Sequence, residues 1–289
     1  MTANSNFLLE QKAIPVLKWA GGKTSLLSKF VEKFPQKFNR YIEPFLGGGA
    51  VFFSLSKEVP AIINDLNPEI FNLYSLIRDH PLELIKILDQ YAQKYSEEFY
   101  YELRKTKLEN KIELAARTLF LNKTGFNGLF RQNSKGEFNV PFGKRLKCPA
   151  LYDLDNILFV SQKLKAATLL NEDFETILNR AEEGDFIYCD PPYEPLSNTS
   201  SFNNYNGLGF SQHEQKRLYE YAKQASLKGA TVVISNSSAP FILNLYKEFE
   251  VHRISARRSI NSNGLKRGEI DEVLVIIPPK KISKIKTTF

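Results

Sequence analysis

The chain is poor in cysteine, with Cys148 and Cys189 as the two in its 289 residues. They give neither a disulfide framework nor a metal-ligand spacing, which fits a reducing compartment. Residues 1–12 contain one apolar patch, Phe7-Leu8-Leu9, which is too short for a signal peptide or a membrane span. We therefore expect a soluble, cytoplasmic protein that has no membrane partner.

Acidic residues are scarce in three stretches, residues 125–147, 253–267 and 280–286, although the net charge of the whole chain is +7. Glu137 is the single acid in the first stretch, and the second has none. Clustered positive charge indicates a polyanionic partner such as nucleic acid. The alternative is a solvated surface, which we favour for the C-terminal stretch alone.

Two glycine-rich segments lack the spacing of the common nucleotide-binding fingerprints. A Walker motif that ends in Gly22-Lys23-Thr24 would need its first glycine at position 17, which is Leu17. A phosphate-loop nucleotidase is therefore disfavoured, and ATP hydrolysis by the protein would be evidence for it. After the glycines at residues 47–49, Phe52 stands where a dinucleotide fingerprint needs its third glycine. This argues against a pyrophosphate ligand and for a smaller nucleoside. A helix after the paired glycines still suits an anion, with Lys23 beside it.

An alternation of strands and helices predicts an α/β sheet. Residues 41–45 are typical of a first strand, and with the glycine segment and a helix over residues 50–57 they form a nucleotide-binding crevice. A second strand over residues 61–64 ends at Asp65, which is placed to accept hydrogen bonds from ribose hydroxyls. The same aspartate could cap a helix that begins at Pro68, and the two roles are compatible.

The middle of the chain departs from this alternation. Residues 68–124 have apolar side chains at helical spacing, and residues 122–149 combine turn signals with basic and aromatic residues. We predict an exposed, hairpin-bearing insertion. It carries side chains of the kinds that read base edges or wedge between bases, namely Phe126, Asn127, Phe130, Arg131 and Asn133. The alternative is a long surface loop packed on its own aromatic rings, but the local charge favours nucleic acid.

The second half of the chain completes the predicted sheet. A strand over residues 167–170 precedes Asp173-Phe174, whose acid and ring could flank an adenine moiety. Further predicted elements are helices over residues 175–182, 212–227 and 240–246, an aperiodic loop over residues 196–210, and strands over residues 230–235 and near 249–253 and 271–277. No repeat or linker divides the chain, so the middle segment is predicted to be inserted.

A predicted strand over residues 185–189 runs directly into Asp190-Pro191-Pro192-Tyr193. The prolines stiffen the backbone, and ligands bind at the carboxyl ends of strands in open α/β sheets. The Asp190 carboxylate and the Pro191 carbonyl could accept the hydrogens of an adenine amine and stabilise charge that develops during methyl transfer, without a histidine base or a metal. Tyr193 could stack on a base taken out of a duplex. The alternative is a Pro-Pro turn capped by Asp190, and the tetrapeptide alone does not decide between them.

Taken in order, these motifs resemble those of the DNA adenine-N6 methyltransferases of the Dam type, the D12 class with a DPPY motif. The resemblance spans nearly the whole chain and is carried by Lys18-Trp19-Ala20-Gly21-Gly22-Lys23, Glu43-Pro44-Phe45, Asn64-Asp65-Leu66-Asn67, residues 125–131, 136–141 and 257–264, and the proline tetrapeptide. It implies an α/β fold with a doubly wound, mainly parallel sheet, the class I S-adenosylmethionine-dependent methyltransferase fold, over residues 1–66 and 166–289. Residues 67–165 are then an inserted, mostly helical DNA-recognition domain that carries a β-hairpin.

The resemblance also implies S-adenosyl-L-methionine as the methyl donor. The positions that match donor-binding residues of the family are Trp19, Lys23, Phe45, Gly47, Asp65, Asp173, Phe174 and Asp190. The catalytic motif is matched by Asp190, Pro191, Pro192 and Tyr193. Trp19 is the only tryptophan of the chain and could also belong to the core.

Double-stranded DNA is the implied substrate, with GATC as the expected target, although relatives with similar inserts read other sequences that contain GA. Arg131 matches the arginine that reads guanine, and Leu129 and Pro141 match residues that contact neighbouring bases. Phe126 stands where many relatives have a tyrosine, so we expect stacking without the hydroxyl's hydrogen bond. Asn127, Asn133 and Lys144 complete the expected DNA contacts.

Two other functions remain compatible with the sequence. The first is methylation of another planar amine, such as cytosine N4, an RNA base or a glutamine side chain. It is disfavoured because relatives with those substrates tend to begin the tetrapeptide with Ser or Asn. The second is a DNA-binding regulator without chemistry, which is disfavoured by the intact Lys23, Asp65, Asp190 and Tyr193. A monomer is expected, and the sequence leaves open whether it acts alone or protects DNA from a cognate restriction endonuclease.

Overall fold

A computed structural model describes residues 13–19, 21–56, 59–133, 135–196, 210–257 and 269–280. The predicted loop over residues 196–210, the motif over residues 257–264 and the basic C-terminal stretch lie mostly outside these ranges. The described strands are β1 Arg40–Glu43, β2 Ala61–Asn64, β3 Ala167–Leu170, β4 Asp185–Cys189, β5 Thr231–Ser237, β6 Glu250–Arg257 and β7 Glu269–Ile277.

These strands form one seven-stranded sheet in the order β3-β2-β1-β4-β5-β7-β6. The first five strands along the chain pair in parallel, whereas β7 is antiparallel to both β5 and β6. The predicted doubly wound, mainly parallel sheet is therefore confirmed.

The described helices are α1 Leu27–Val31, α2 Ala50–Ser54, α3 Pro68–Asp79, α4 Pro81–Gln93, α5 Glu97–Lys105, α6 Lys111–Thr124, α7 Leu154–Lys165, α8 Phe174–Leu178, α9 Gln212–Leu227 and α10 Pro240–Leu245. Within the ranges that the structure describes, no helix has both the length and the apolar character needed to cross a membrane.

Side chains of the central strands alternate between two buried layers. Tyr41 and Phe186 pack into the core that also holds side chains of α1 to α7. Ile42 and Ile187 point into the opposite core, which α8, α9 and α10 complete. Burial on both faces explains why these strands are nearly continuous apolar runs. Cys189 is buried in the second core, consistent with a packing role.

The segment between β2 and β3 contributes α3 to α7 without interrupting the sheet, because Ile62 still lies opposite Thr168 in the two adjacent strands. Helix α3 begins at Pro68, where the Asn67 side chain accepts a hydrogen bond from a backbone N–H of the first turn. Buried side chains of these helices belong to the same core as β1 and β2. The segment is thus anchored on one face of the sheet.

The predicted hairpin of this segment forms only in part. In its described residues, isolated antiparallel bridges join Gly125 to Phe142 and Gln132 to Phe138, without a continuous ladder. Phe138 and Phe142 are buried, and the ring of Phe142 lies 5.3 Å from that of Tyr100 on α5. The insertion was predicted to be exposed and to bear a hairpin, and these two rings depart from that prediction because they join the core.

Several element boundaries differ from the predictions for local reasons. Strand β1 ends before Pro44, which cannot donate to a ladder. Strand β5 reaches Ser237 because its pairing with β7 continues after its pairing with β4 has ended at Ile234. Helix α2 ends early because Leu55 is extended, and α8 is also shorter than predicted, ending at Leu178.

Candidate active site

The carboxyl ends of β1, β2 and β4 meet where the strand order reverses. From β1 the sheet continues through β2 to β3 on one side, and from β4 to β5 on the other. A reversal of this kind opens a crevice above the strand ends. The glycine loop after β1, Asp65 after β2 and Asp190 after β4 are brought together at this edge.

The Asp190 carboxylate is held by two side chains from distant parts of the chain. Ser235 Oγ donates a hydrogen bond to Oδ1 at 2.6 Å, and Lys23 Nζ lies 2.8 Å from Oδ2. Lys23 is 3% exposed and Asp190 19%, so solvent screens the ion pair weakly while the carboxylate still reaches the crevice. A carboxylate offers about four lone-pair sites, so both oxygens can accept a further hydrogen bond.

The Tyr193 ring lies beside this ion pair, 4.7 Å from Lys23 Nζ. Its hydroxyl donates a hydrogen bond to Glu272 Oε2 at 2.8 Å. Burial raises the pKa of Glu272, and the nearby Lys23 limits the rise. The ring orientation is thus set by the protein itself.

Buried amides fix the proline segment from behind. Gln215 Nε2 donates to the Pro192 carbonyl at 3.0 Å, and Asn236 Oδ1 accepts from the backbone N–H of Glu194 at 3.1 Å. Asn236 Nδ2 in turn donates to Gln215 Oε1 at 3.1 Å, and both amides are fully buried. Pro191 is buried and Pro192 exposed, so the rigid segment lies at the protein surface with one proline packed inside.

Asp65 joins the loops that follow β1 and β2. Its Oδ2 accepts from the backbone N–H of Gly47 at 2.8 Å, and its Oδ1 accepts from that of Asn67 at 2.9 Å. Burial raises the pKa of Asp65 to about 6, and the two backbone donors oppose the rise. Gly47 has φ 48°, and a Cβ there would lie 2.6 Å from Trp19 Nε1, so close approach of backbone and indole requires glycine.

Three phenylalanine rings form a second cluster at the same edge. Phe45 lies 5.5 Å from Phe174, and Phe210 lies 5.7 and 5.8 Å from the two, centroid to centroid. The Arg217 guanidinium covers the Phe174 ring at 4.3 Å and is ion-paired with Asp173, which also caps α8. Arg217 therefore engages both residues of the pair, and their predicted contact with an adenine moiety stays a prediction.

The insertion presents the remaining predicted site residues. Exposed among them are Phe126, Asn127, Pro141 and Lys144, whereas Leu129, Arg131 and Asn133 are half-buried. Arg131 Nε donates to Asn139 Oδ1 at 2.6 Å, and Nη2 donates to the Asn139 carbonyl at 3.1 Å. The guanidinium is thus oriented by its neighbour across the loop.

Trp19 and Phe130 contact each other rather than standing free. Their ring centroids are 5.1 Å apart, and Phe130 also lies 5.6 Å from the buried Phe138. The Asn122 side chain, fully buried, donates to the carbonyls of Lys18 and of a glycine in the insertion. Phe130 therefore packs between Phe138 of the insertion and Trp19, and the motif that carries Trp19 is attached to the insertion.

Several residues of this arrangement were not singled out by the sequence. Ser235 and Asn236 carried a signal, since they are polar and follow an apolar run at a strand's carboxyl end. Glu272 carried none, because it lies on the antiparallel strand β7 and meets the crevice only through the strand order. Gln215 resembles any polar residue in the first turns of a helix.

The strand order and the crevice at its reversal are those of the class I methyltransferase fold. A model of the D12 class N6 adenine-specific DNA methyltransferases matches residues 19–260. The chain belongs to this family, whose members are DNA methyltransferases that act on adenine N6 and generally use S-adenosylmethionine. The resemblance, the fold class and the enzyme class expected from the sequence are confirmed.

Three similar proteins match along almost their full length. Type II methyltransferase M1.LlaDCHI of Lactococcus lactis subsp. cremoris is 42% identical over 269 residues, which cover 90% of this chain and 94% of the relative. Type II methyltransferase M.MjaIII of Methanocaldococcus jannaschii is 38% identical, with 91% and 98% covered. The DNA adenine methylase of Escherichia coli strain K12 is 34% identical, with 93% and 97% covered.

Proposed function

We propose that this protein transfers the methyl group of S-adenosyl-L-methionine to N6 of an adenine flipped out of duplex DNA, within GATC. The observation that carries the proposal is the Asp190 carboxylate at the reversal of the sheet. Ser235 and Lys23 hold it in place, and Tyr193 lies beside it. This arrangement presents fixed acceptors and an aromatic ring to a planar amine.

The crevice fits the methyl donor by the chemistry of its side chains. The Asp65 carboxylate at the end of β2 suits ribose hydroxyls. Asp173 and Phe174 would take the amine and the face of an adenine ring in place of Arg217, which is ion-paired with Asp173 and covers the Phe174 ring. Trp19, Lys23, Phe45 and Gly47 complete the proposed donor site. When bound, the donor supplies an electrophilic methyl group attached to a positively charged sulfur.

The residues of the proline segment would act on the substrate amine itself. Asp190 accepts one N6–H, and the Pro191 carbonyl accepts the other, which favours a tetrahedral nitrogen with its lone pair available. Positive charge that develops on N6 is then stabilised by a carboxylate that needs no rearrangement. The proton leaves N6 after transfer. Tyr193, oriented through Glu272, stacks on the base, and Pro192 keeps the segment rigid.

We propose residues 67–165 as the DNA-recognition insertion on a catalytic unit formed by residues 1–66 and 166–289. Phe126, which is 51% exposed, would fill the gap left by the flipped adenine. Arg131 would read a guanine through a bidentate contact. Leu129, Pro141, Asn127, Asn133 and Lys144 would contact neighbouring bases and phosphates.

The biological setting follows the names of the relatives, which include a DNA adenine methylase and type II methyltransferases. We propose a monomer that acts on duplex DNA. The type II names support a cognate restriction endonuclease as a functional partner.

The proposal is tested by expressing the protein in a host without adenine methylation and mapping methylated adenines in the genome. We expect N6-methyladenine in GATC, and none with Asp190→Ala at unchanged secondary structure. Methylation of adenine in another sequence containing GA would change the proposed target sequence and leave the proposed mechanism standing. Methylation of cytosine, RNA or protein, or full activity of Asp190→Ala, would overturn the mechanism.

A further inference from the structure

The side chain of Gln132 bridges the loop of residues 125–142 and the first turn of α3, both within the insertion. Its Oε1 accepts from Asn67 Nδ2 at 2.9 Å, and its Nε2 donates to Glu69 Oε1 at 3.0 Å. Both ends of the amide are therefore used, and both partners lie next to the loop that carries Asp65. Gln132 itself follows Arg131, the proposed guanine-reading residue.

Asn67 connects this bridge to the Asp65 carboxylate. The backbone N–H of Asn67 donates to Asp65 Oδ1 at 2.9 Å, and its side-chain oxygen accepts from the backbone N–H of Glu69 at 2.9 Å. Its side-chain nitrogen is the group that Gln132 holds. Gln132 thus holds one end of the side chain of Asn67, whose other end caps α3 and whose backbone N–H is bonded to Asp65.

Glu69 gives the bridge a rigid base. Its Oε2 accepts from Thr118 Oγ1 at 3.1 Å and lies 3.8 Å from Arg117 Nη1. Thr118 and Arg117 are buried on α6, and Arg117 also donates to the Leu103 carbonyl at 2.9 Å. The helix side of the bridge is therefore fixed, so a displacement of the loop that carries Gln132 acts on its hydrogen bond to Asn67 Nδ2.

Gln132 and Arg131 use opposite sides of the same backbone. Adjacent side chains in an extended segment point in opposite directions, and here Arg131 contacts Asn139 while Gln132 contacts α3. The backbone at Gln132 also pairs with Phe138. An Arg131 side chain that exchanges Asn139 for a base edge shifts the peptide that it shares with Gln132.

We propose that Gln132 is a positioning residue that couples DNA binding by the insertion to the hold of Asp65 on the methyl donor. Each ligand then strengthens the binding of the other, since a coupling free energy acts equally in both directions. This inference rests on the proposed roles of Asp65 and Arg131. It identifies one amide, with two named hydrogen bonds, as the physical link.

The test is calorimetric binding of S-adenosylhomocysteine, which allows no turnover, with and without a duplex that carries the sequence found by methylation mapping. In the wild-type protein we expect DNA to tighten binding by about fivefold or more, the lower end of typical coupling. Gln132→Leu keeps a similar volume and removes both hydrogen bonds. We expect its ratio of affinities with and without DNA to fall to about one.

Two further variants sharpen the result. Asn67→Ser keeps an oxygen that can cap α3 but removes the donor to Gln132, so its ratio of affinities with and without DNA should fall as well. The double variant should show the same ratio as either single variant, because both substitutions break the same bridge. Asn67→Ser gives the same test if Gln132→Leu does not fold. Gln36 donates hydrogen bonds to the Val31 and Phe34 carbonyls, away from the bridge. The control variant Gln36→Leu should therefore keep the wild-type ratio.

The outcomes separate the inference from the proposed function. A wild-type protein that binds neither S-adenosylhomocysteine nor DNA would overturn the proposed function and the coupling together. A wild-type protein that binds both without mutual strengthening would overturn the coupling alone. So would a Gln132→Leu protein that keeps the wild-type ratio, or additive effects in the double variant.

Discussion

The proline segment after β4 and the loop of the insertion differ in how their polar groups are arranged. Asp190 and Tyr193 are held by Lys23, Ser235 and Glu272, which come from three other parts of the chain. In the insertion, the Arg131 guanidinium bonds to Asn139 of the same loop, and several predicted DNA contacts are exposed. Long-range, buried contacts suit a site that must keep its geometry, whereas local contacts can be exchanged for those of a partner.

The two regions also differ in charge. At the proline segment Lys23 lies within 4.0 Å of both Asp190 and Glu272, so opposite charges are combined in a small buried volume. Residues 125–147 instead present basic side chains with one acid among them. The first arrangement suits the proposed reaction on a neutral base, and the second suits the proposed attraction of a polyanion.

The largest effect that tests this contrast is expected for Lys23→Ala. It leaves Asp190 and Glu272 without their buried cation, and removing one member of a buried ion pair costs about 3–5 kcal/mol. The free energy of unfolding in urea measures the loss. Lys29→Ala, at an exposed position, should change it by less than about 0.5 kcal/mol. A loss for Lys23→Ala as small as that of the control would show that this region is solvated rather than preorganised.

Arg131→Ala is expected to act on recognition rather than on stability. Loss of a bidentate contact should cost about 1–3 kcal/mol in discrimination at one guanine position. Methylation rates on duplexes that differ at each base pair of the target measure this directly. An equal loss on every sequence would make Arg131 a phosphate contact, and the proposed division between reading and attracting residues would not hold within the loop.

A smaller, sequence-independent effect is expected for Lys144→Gln. Lys144 is exposed, so neutralising it should weaken binding to all duplexes alike. The slope of log affinity against log salt should fall by about one, as for one phosphate contact. Titrations at several salt concentrations supply the slope, and an unchanged slope would remove Lys144 from the DNA interface.

The smallest effect at neutral pH is expected for Glu43→Gln, at the last residue of β1. Burial raises the pKa of Glu43 well above its ordinary 4.5, and the nearby Asp190 adds to the rise. The folded protein therefore retains a proton that the unfolded chain releases above pH about 4.5. Wild-type stability should decline relative to Glu43→Gln as pH rises from there to the folded-state pKa.

Unfolding in urea at pH 5 and pH 8 measures this difference. We expect Glu43→Gln to be as stable as the wild type or more so at pH 8, because burial disfavours the ionised carboxylate and the amide carries no charge. A variant that loses more stability at pH 8 than at pH 5 would mean that Glu43 is ionised when folded.

Local patterns predicted the elements whose ends are marked by their own residues. Strands β2 and β3 and helix α9 have the predicted bounds, and the Ser211 side chain caps α9 by accepting from the Glu214 backbone N–H. The end of β5 was missed, since it depends on pairing with β7 rather than on local sequence. The burial of Phe138 and Phe142 was missed because it depends on the rings of α5 and its neighbours.

By itself, the sequence determined the alternating strands and helices, the basic insertion, and the placement of Asp65 and Asp190 at strand ends. These follow from side-chain period, turn residues and proline, which act over a few neighbouring positions. Only the tertiary structure decided that Lys23, Ser235 and Glu272 surround Asp190, and that Gln132 meets Asn67. Such contacts depend on the order of strands in the sheet and on how the insertion folds back, and neither is encoded within a single segment.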